Sequence, residues 1–396
     1  MTTFSVQFLG CKVSHVDAHE VREALLAGGH RESPEAEVAV VNTCCVTNEA
    51  VAKSRKAAAR AARTHRRVYV TGCGANLASD AFAGLPENVV VVARRSEETP
   101  AFVAGDVGAI GCVQDDARLD RVRAFVKVQD GCSFSCNFCV IPLVRGASRS
   151  RRATAVLAEI ARRVAQGHRE VVLTGINLGC YRDRDAGYDL PRLVREAGAT
   201  PGLARLRLSS IEINHVNDEL VAALRETPTV SRHLHVPLQS GDDGVLRAMA
   251  RRYSAATFLR RLAPLQDEFN LTSDVIVGFP AEDERAFEST MRIVRDAGLT
   301  KLHVFPYSPR PGTVTANDDP VPPAVKRERS ERLRALSDEA CLARWRTKVG
   351  CDDIVLVDRP GRGYGDDYSP WLVDAALGEL VRVRGGAVTE EGILAA

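Results

Sequence analysis

Aromatic side chains are scarce in this chain: Phe, Tyr and Trp make up 5% of 396 residues. The apolar share of 45% is mostly Ala, Val and Leu, a composition that suits buried strands alternating with helices. No apolar run approaches the roughly eighteen residues that a membrane-spanning helix needs. The N-terminus, Met1-Thr2-Thr3-Phe4, lacks a basic segment followed by an apolar core, so no export signal is expected and the chain is expected to be cytoplasmic. Neither charge sign dominates. With 53 Lys and Arg against 51 Asp and Glu the net charge is +2, and any nucleic-acid surface must come from local clustering. In such a chain eleven cysteines point to metal binding or catalysis rather than to a disulfide framework.

What is present begins with Gly131-Cys132-Ser133-Phe134-Ser135-Cys136-Asn137-Phe138-Cys139. Three cysteines at spacings of four and three can turn three thiolates toward one face of a metal cluster. A zinc site is the alternative, but zinc normally closes four ligands, and neither His nor a fourth Cys follows Cys139 closely. Iron–sulfur clusters are held by thiolates, and three of them leave one iron open to a substrate or cofactor.

The rest of the chain alternates strand and helix patterns, which implies parallel sheets with helices on their faces. Strand-like runs at 4–9, 37–41, 68–71 and 88–92 fill the first hundred residues, with a basic Ala-rich helix over 48–65. Cys11, Cys44 and Cys73 each sit just past the carboxyl end of one of these strands, where ligand sites gather in open α/β sheets. They should converge into a second three-thiolate site. Cys45 follows Cys44 and should point the other way if the strand persists. It, Cys112, Cys180, Cys341 and Cys351 read as core or surface residues. Residues 104–120 read as a linker. Six further strand patterns (124–129, 170–174, 204–209, 233–238, 274–278 and 301–306), with helices near 153–166, 217–226, 242–266 and 284–297, predict a partial barrel short of the eight units of a closed one. A helix over 323–348 precedes a Gly-rich β segment, which is too small to stand alone and should lean on the barrel. The expected fold class is α/β: an N-terminal parallel α/β domain (1–110), a partial (β/α)6 barrel (118–348) and a small all-β domain (349–396).

The cysteine loop resembles that of the radical S-adenosylmethionine (SAM) enzymes, and the resemblance covers nearly the whole chain. The sequence looks like a methylthiotransferase of that superfamily. Gly10-Cys11, Asn42-Thr43-Cys44 and Gly72-Cys73 match the family's N-terminal cysteines. Lys127 to Cys132, Ile141 to Gly146, Leu173 to Gly179, Pro237 to Gly241 and Val277 to Pro280 match the barrel motifs. Gly10-Cys11-Lys12-Val13, Asn42 to Thr47 and the Leu173 run are most similar to the branch that modifies N6-threonylcarbamoyladenosine at position 37 of tRNA, although Ser14 stands where that branch usually has Asn.

The resemblance implies two 4Fe–4S clusters. One, held by Cys132, Cys136 and Cys139, would cleave SAM to a 5′-deoxyadenosyl radical that takes hydrogen from adenine C2. The other, on Cys11, Cys44 and Cys73, would carry the sulfur that a second SAM methylates. Thr174, Gly175 and Asn177 are candidates to cradle the SAM amino group, and Gly278 to admit the adenine, though turn roles would equally explain either glycine. Glu212, Gln239 and Arg310 lie at or just past strand ends and are polar-site candidates, the first two for cofactor contact. Implied partners are the tRNA anticodon stem-loop and an electron donor of the flavodoxin or ferredoxin type. Lys53, Arg55, Lys56, Arg60, Arg63, Arg66 and Arg67, and the group Arg145, Arg149, Arg151 and Arg152, are candidates for phosphate contact, with a solvated helix face as the alternative for the first group. The C-terminal segment resembles the RNA-binding TRAM module, with Gly363 to Tyr368 matching its Gly-x-Thr-x-x-Tyr signature except at Gly365. Alternative functions are methylthiolation of N6-isopentenyladenosine in tRNA or of an aspartate in a ribosomal protein, and a non-catalytic iron–sulfur RNA-binding redox sensor.

Overall fold

Short apolar strands cannot bury both faces alone, and in the first unit they pair as a parallel sheet covered by helices, with the exposed pair Arg31–Glu32 at one edge. The computed structural model describes residues 1–77, 79–108 and 122–396. Most of the expected linker, and Cys112, lie outside these. Strands β1 (Thr3–Phe8), β2 (Arg31–Glu32), β3 (Val38–Thr43), β4 (Arg67–Gly72) and β5 (Val89–Val91) lie in the order β2-β1-β3-β4-β5. The central strand β3 is buried along its whole length. Register brings the strand ends level, with Phe8 opposite Asn42, Asn42 opposite Thr71, and Thr43 opposite Gly72.

Helices α1 (Lys12–Ala27), α2 (Asn48–Ala61), α3 (Cys73–Asn76) and α4 (Thr99–Val107) follow the strands. Val21 and Leu25 of α1 pack on Phe4, Val38 and Val40 on one face, and Ala58 of α2 packs on Val41, Val68 and Val70 on the other. Thr47 caps α2 by accepting from Ala50 N at 3.1 Å, a bond worth about 1 kcal/mol. The chain forms two compact units. The first joins this sheet to residues 130–149, which include α5 (Ile141–Arg145), and to residues 308–317.

The second unit holds six parallel strands: β6 (Arg123–Lys127), β7 (Glu170–Thr174), β8 (Arg205–Leu208), β9 (His233–His235), β10 (Asn270–Val277) and β11 (Leu299–Pro306). They pair as β8-β7-β6 and β9-β10-β11. The two triplets meet where Leu206 bridges Val230 and Ile211 N donates to His235 O at 2.9 Å. β6 and β11 are outer strands among those described, so this is the expected partial barrel. Around it lie α6 (Ala153–Ala165), α7 (Leu190–Gly198), α8 (Asp218–Glu226), α9 (Asp243–Ala248), α10 (Ala255–Leu262), α11 (Glu284–Asp296) and α12 (Pro323–Arg346). Two differences from expectation stand out. The helix over 242–266 is broken, because Ala250 takes φ 58° and cannot continue a right-handed helix. Helix α7 was not expected, although Asp189 caps it by accepting from Arg192 N at 3.1 Å and Pro191 occupies its first turn, both legible start signals.

Strands β12 (Asp352–Arg359), β13 (Arg362–Tyr364), β14 (Pro370–Leu372), β15 (Leu380–Val388) and β16 (Ile393–Ala395) close into a small barrel around Trp371. It leans on the larger barrel as expected, and through charged groups. Glu170 is buried and accepts from Arg207 Nε at 2.7 Å and Arg205 Nη1 at 3.1 Å, with Arg123 Nε at 3.7 Å. The same arginines reach onward: Arg205 Nη2 donates to Ile354 O at 2.6 Å and Arg207 Nη2 to Gly365 O at 2.7 Å. Arg123 lies over Tyr364 and Tyr368. Gly363 to Tyr368, the segment matching the TRAM signature, therefore faces the larger barrel.

Burial raises the Glu170 carboxyl, but the charges of Arg207, Arg123 and Arg205 outweigh it and hold it below its ordinary 4.5. Its folded pKa being depressed, its stabilisation is fully present above about pH 4.5 and is lost as pH falls through the lower folded value. Glu170→Gln should cost about 3–5 kcal/mol in urea unfolding at pH 7, with the deficit against wild type shrinking under acid. An unchanged midpoint at pH 7 would contradict this account.

Candidate functional site

Three strand ends at one level bring the N-terminal cysteines together. Cys11 is the N-cap of α1, Cys44 follows β3, and Cys73 opens α3. The glycines before them are needed for close approach. Gly10 has φ +127°, and a Cβ there would stand 2.9 Å from Ser14 Oγ and 3.2 Å from Cys44 Cβ. Gly72 has φ +83°, and a side chain there would collide with Asn42. Ser14 Oγ lies 3.7 Å from Cys11 Sγ, so this departure from the usual Asn touches the site. Burial, with the charges of Cys73 and Cys11, pushes the Cys44 thiol up to about 11.

Cys73 goes the other way. Its partner thiol on Cys45, and then the guanidinium of Arg145, hold it below the ordinary thiol range despite burial. Arg145 Nε donates to Cys73 Sγ at 2.9 Å, Nη1 to the Asp130 oxygens at 3.0 and 3.2 Å, and Nη2 to Asp17 Oδ2 at 2.7 Å. Two expectations are corrected here. Cys45 does not point away from the site, because β3 ends at Thr43 and strand alternation no longer governs it. Arg145 is not a phosphate contact, because it is buried on two carboxylates and a thiol.

The loop of Cys132, Cys136 and Cys139 belongs to the same unit. Gly131 takes φ +69°, and a side chain there would strike Ala147 O. Cys132 N donates to Gly146 O at 3.0 Å, Cys139 N to Cys136 O at 3.1 Å, and Phe134 N to Cys132 Sγ at 3.4 Å. The loop runs into α5, whose Val144 packs with Val140, Leu77, Cys45 and Cys73, while Asn76 Nδ2 donates to Val144 O at 3.0 Å. Cys45 and Cys73 thus share one wall with Val140 and Val144, which follow the second loop. The donor sets fit iron–sulfur clusters: soft sulfurs, an N–H aimed at one of them, a cation on another, and an apolar lining.

At the ends of β6, β7 and β8 the second unit carries a polar crevice. Gln129 Oε1 accepts from Asn177 N at 2.8 Å and would lie 2.9 Å from a Cβ on Gly175, whose N donates to Ser209 Oγ at 3.3 Å. Thr174 Oγ1 and Asn177 Oδ1 are buried with no partner among the described residues, which suits a bound ligand. Gln129 and Ser209 were missed because only strand register shows them to be neighbours. Glu212 is occupied by Asn214 N at 2.9 Å and Arg251 at 3.5 Å. Gln239 holds φ 65° and bridges Val275. Gly278 N donates to Glu282 Oε1 at 2.7 Å, and Lys326 covers its α-carbon. Also missed were His235, Asp274 and His303 on β9, β10 and β11, whose donor atoms lie within 4.8 Å of one another. They are far apart in sequence and no spacing rule joins them.

The radical SAM superfamily matches residues 126–294, and an uncharacterised protein family, UPF0004, matches residues 3–93. The radical SAM methyltransferase TsrM from Kitasatospora setae, solved with tryptophan and a SAM analogue, superposes with a TM-score of 0.60 over 80% of this chain and 75% of that one, at 12% identity. That likeness concerns the fold alone. In sequence the chain is 32% identical to the threonylcarbamoyladenosine tRNA methylthiotransferase MtaB of Thermotoga maritima, covering 100% of this chain and 96% of the relative. It is 36% identical to the protein of that name from Bacillus subtilis, covering 86% and 81%. The fold and the cysteine loop define a radical-SAM enzyme. Within that class the chain belongs to the methylthiotransferase family, which transfers a methylthio group.

In the metal-free protein, ultraviolet thiolate absorbance should show a thiol titrating below the ordinary thiol range, assigned to Cys73 by its loss in Cys73→Ala. Arg145→Gln should move that titration to clearly higher pH, because the charge holding the thiolate is gone. An unmoved titration would mean that Arg145 does not hold the Cys73 thiolate.

Proposed function

We propose that this chain adds a methylthio group to C2 of N6-threonylcarbamoyladenosine at position 37 of tRNA, using two 4Fe–4S clusters and two SAM molecules. The observation that carries the reading is the wall at Cys73, where Arg145, from the helix that closes the second cysteine loop, donates to a cysteine of the first group at 2.9 Å. Relatives named for this activity align over 81% or more of their own length. In this reading residues 1–110 carry sulfur, residues 118–348 cleave SAM, and residues 349–396 assist with RNA.

Cys132, Cys136 and Cys139 would hold one cluster and Cys11, Cys44 and Cys73 the other. When bound, these groups supply one-electron cleavage of SAM and a sulfur for methylation and transfer. The chain's own residues set the conditions. Arg145 keeps Cys73 as a thiolate ligand, and Val140, Val144 and Leu77 keep water from the wall. Thr174 Oγ1 and Asn177 Oδ1, with the Gly175 backbone, would take the SAM amino group, while Glu212, Gln239 and Gly278 would border the rest of the cofactor.

The tRNA anticodon stem-loop would meet the exposed Lys53, Lys56, Arg60 and Arg63 on and just past α2. The small C-terminal barrel would add Arg359, Arg382 and Arg384, which are exposed. A flavodoxin or ferredoxin would supply electrons in the cytoplasm.

Nucleoside mass spectrometry of tRNA from a deletion strain tests the substrate. Loss of 2-methylthio-N6-threonylcarbamoyladenosine is expected, restored by the wild-type gene but not by Cys44→Ala or Cys136→Ala. Retention of that nucleoside would reject the assignment, and loss of the methylthio-isopentenyl nucleoside instead would redirect it. In vitro, Cys136→Ala should abolish 5′-deoxyadenosine formation, whereas Cys44→Ala should cleave SAM without methylthiolating RNA.

The RNA face has its own test. The triple change Lys56→Glu, Arg60→Glu and Arg63→Glu should weaken tRNA binding and lower the slope of log affinity against log salt by roughly two. An unchanged slope would place the RNA elsewhere.

A further inference from the structure

Arg310 is 4% exposed, and its Nε and Nη1 have no acceptor among the described residues. A guanidinium stays charged in proteins, and a buried cation with unmade hydrogen bonds is costly. Among the described residues other arginines leave one buried N–H over, such as Arg232 and Arg362, whereas Arg310 leaves two, and a ligand can complete such a pair.

The position of Arg310 narrows what that ligand is. It lies on the segment 308–317, which belongs to the first unit. At one end Asn48 N, at the start of α2, donates to Ser308 Oγ at 3.2 Å. At the other, Thr315 N and Oγ1 donate to Asn137 O, between Cys136 and Cys139, at 3.2 and 3.1 Å. The segment therefore spans from the turn carrying Cys44 and Cys45 to the second cysteine loop, with Arg310 between its anchors. Burial lowers the pKa of Arg310, and Cys45 and Cys44 are the charges that act against it.

Comparison with Arg145 is informative. That guanidinium is equally buried but meets Cys73, Asp130 and Asp17. Its bond to Cys73 Sγ at 2.9 Å shows within the same unit that a guanidinium N–H here takes a cysteine sulfur as acceptor. The N-terminal cysteines are thus flanked by two buried arginines, one satisfied by the chain and one left with donors to spare. A nucleic-acid phosphate cannot reach a side chain this buried. A small anion can, on the segment that runs from the turn of Cys44 and Cys45 to the second cysteine loop.

We infer that Arg310 Nε and Nη1 form a binding site for the small anionic sulfur, hydrosulfide or methanethiolate, that the cluster of Cys11, Cys44 and Cys73 carries. This rests on the function proposed above, in which that cluster bears the transferred sulfur. Arg310 donates hydrogen bonds to the sulfur and offsets its charge. No bond is made or broken by the arginine itself.

The test uses the full-length enzyme with both clusters loaded, titrated with carbon-13-labelled sodium methanethiolate. Binding is read as carbon-13 hyperfine coupling to the reduced cluster and as a change in its spectrum. Wild type should bind, Arg310→Gln should bind at least about tenfold more weakly, and Arg310→Lys, which keeps the charge but loses the fork, should lie between them. Iron and acid-labile sulfide contents should match in all three. Should Arg310→Gln load poorly, Arg310→Lys carries the comparison. Equal affinity in a loaded variant and wild type would overturn the role of Arg310 and leave the proposed function standing. A loaded wild type that binds no methanethiolate would overturn both. Displacement of methanethiolate by free methionine from wild type but not from Arg310→Lys would instead assign Arg310 to the SAM carboxylate and overturn the sulfur site.

Discussion

A single buried guanidinium organises the first unit. Arg145 brings a charge into an apolar wall, and a buried charge is tolerated only when paired and hydrogen-bonded. Its acceptors come from three separate stretches: Asp17 on α1, Cys73 at the start of α3, and Asp130 just before the second cysteine loop. Their agreement fixes where α5 sits and, after the neighbouring Cys45 thiol, helps hold the Cys73 pKa down. The same contact that locks the architecture prepares a thiolate, so folding and ligand chemistry are not separable at this point.

The second unit repeats the device at the opposite charge. Glu170 is the buried carboxylate, and Arg123, Arg205 and Arg207 are its partners. Because those guanidiniums have donors to spare, they extend to backbone carbonyls of the small C-terminal barrel and to the rings of Tyr364 and Tyr368. Several arginines that look available for RNA are thereby structural. The basic surface is left to residues such as Lys56, Arg60 and Arg63, and a net charge of +2 understates how much cation is internal.

Against these saturated networks the unsatisfied groups are conspicuous. Among the described residues, Thr174 and Asn177 keep oxygens without partners at the strand ends of the barrel, and Arg310 keeps N–H donors without acceptors on the segment anchored to both cysteine regions. Other buried polar atoms are also left over, among them Arg232 Nη1, Arg362 Nε and Glu282 Oε2, so an open atom bears on ligand binding only where it lies at a strand end or beside the cysteines. The signs are opposite: acceptor oxygens suit an ammonium group, and guanidinium donors suit an anion.

The sequence by itself determined the strand–helix alternation, the three-cysteine loop and the family, because periodicity and close spacing are local properties, though helix α7 and the break between α9 and α10 escaped it. It also indicated the convergence of Cys11, Cys44 and Cys73, since parallel strands in one sheet bring their carboxyl ends to one edge. Tertiary structure alone decided what surrounds them. That Cys45 meets Cys73 depended on β3 ending at Thr43, and a strand end is set by competing contacts rather than by residue type. That Arg145 lies inside depended on a pairing with Asp17 across 128 residues, and the meeting of Gln129 with Asn177 on one across 48. Long-range pairing of polar groups leaves no periodic trace in a chain, because a hydrogen bond requires only that two groups arrive at the same place.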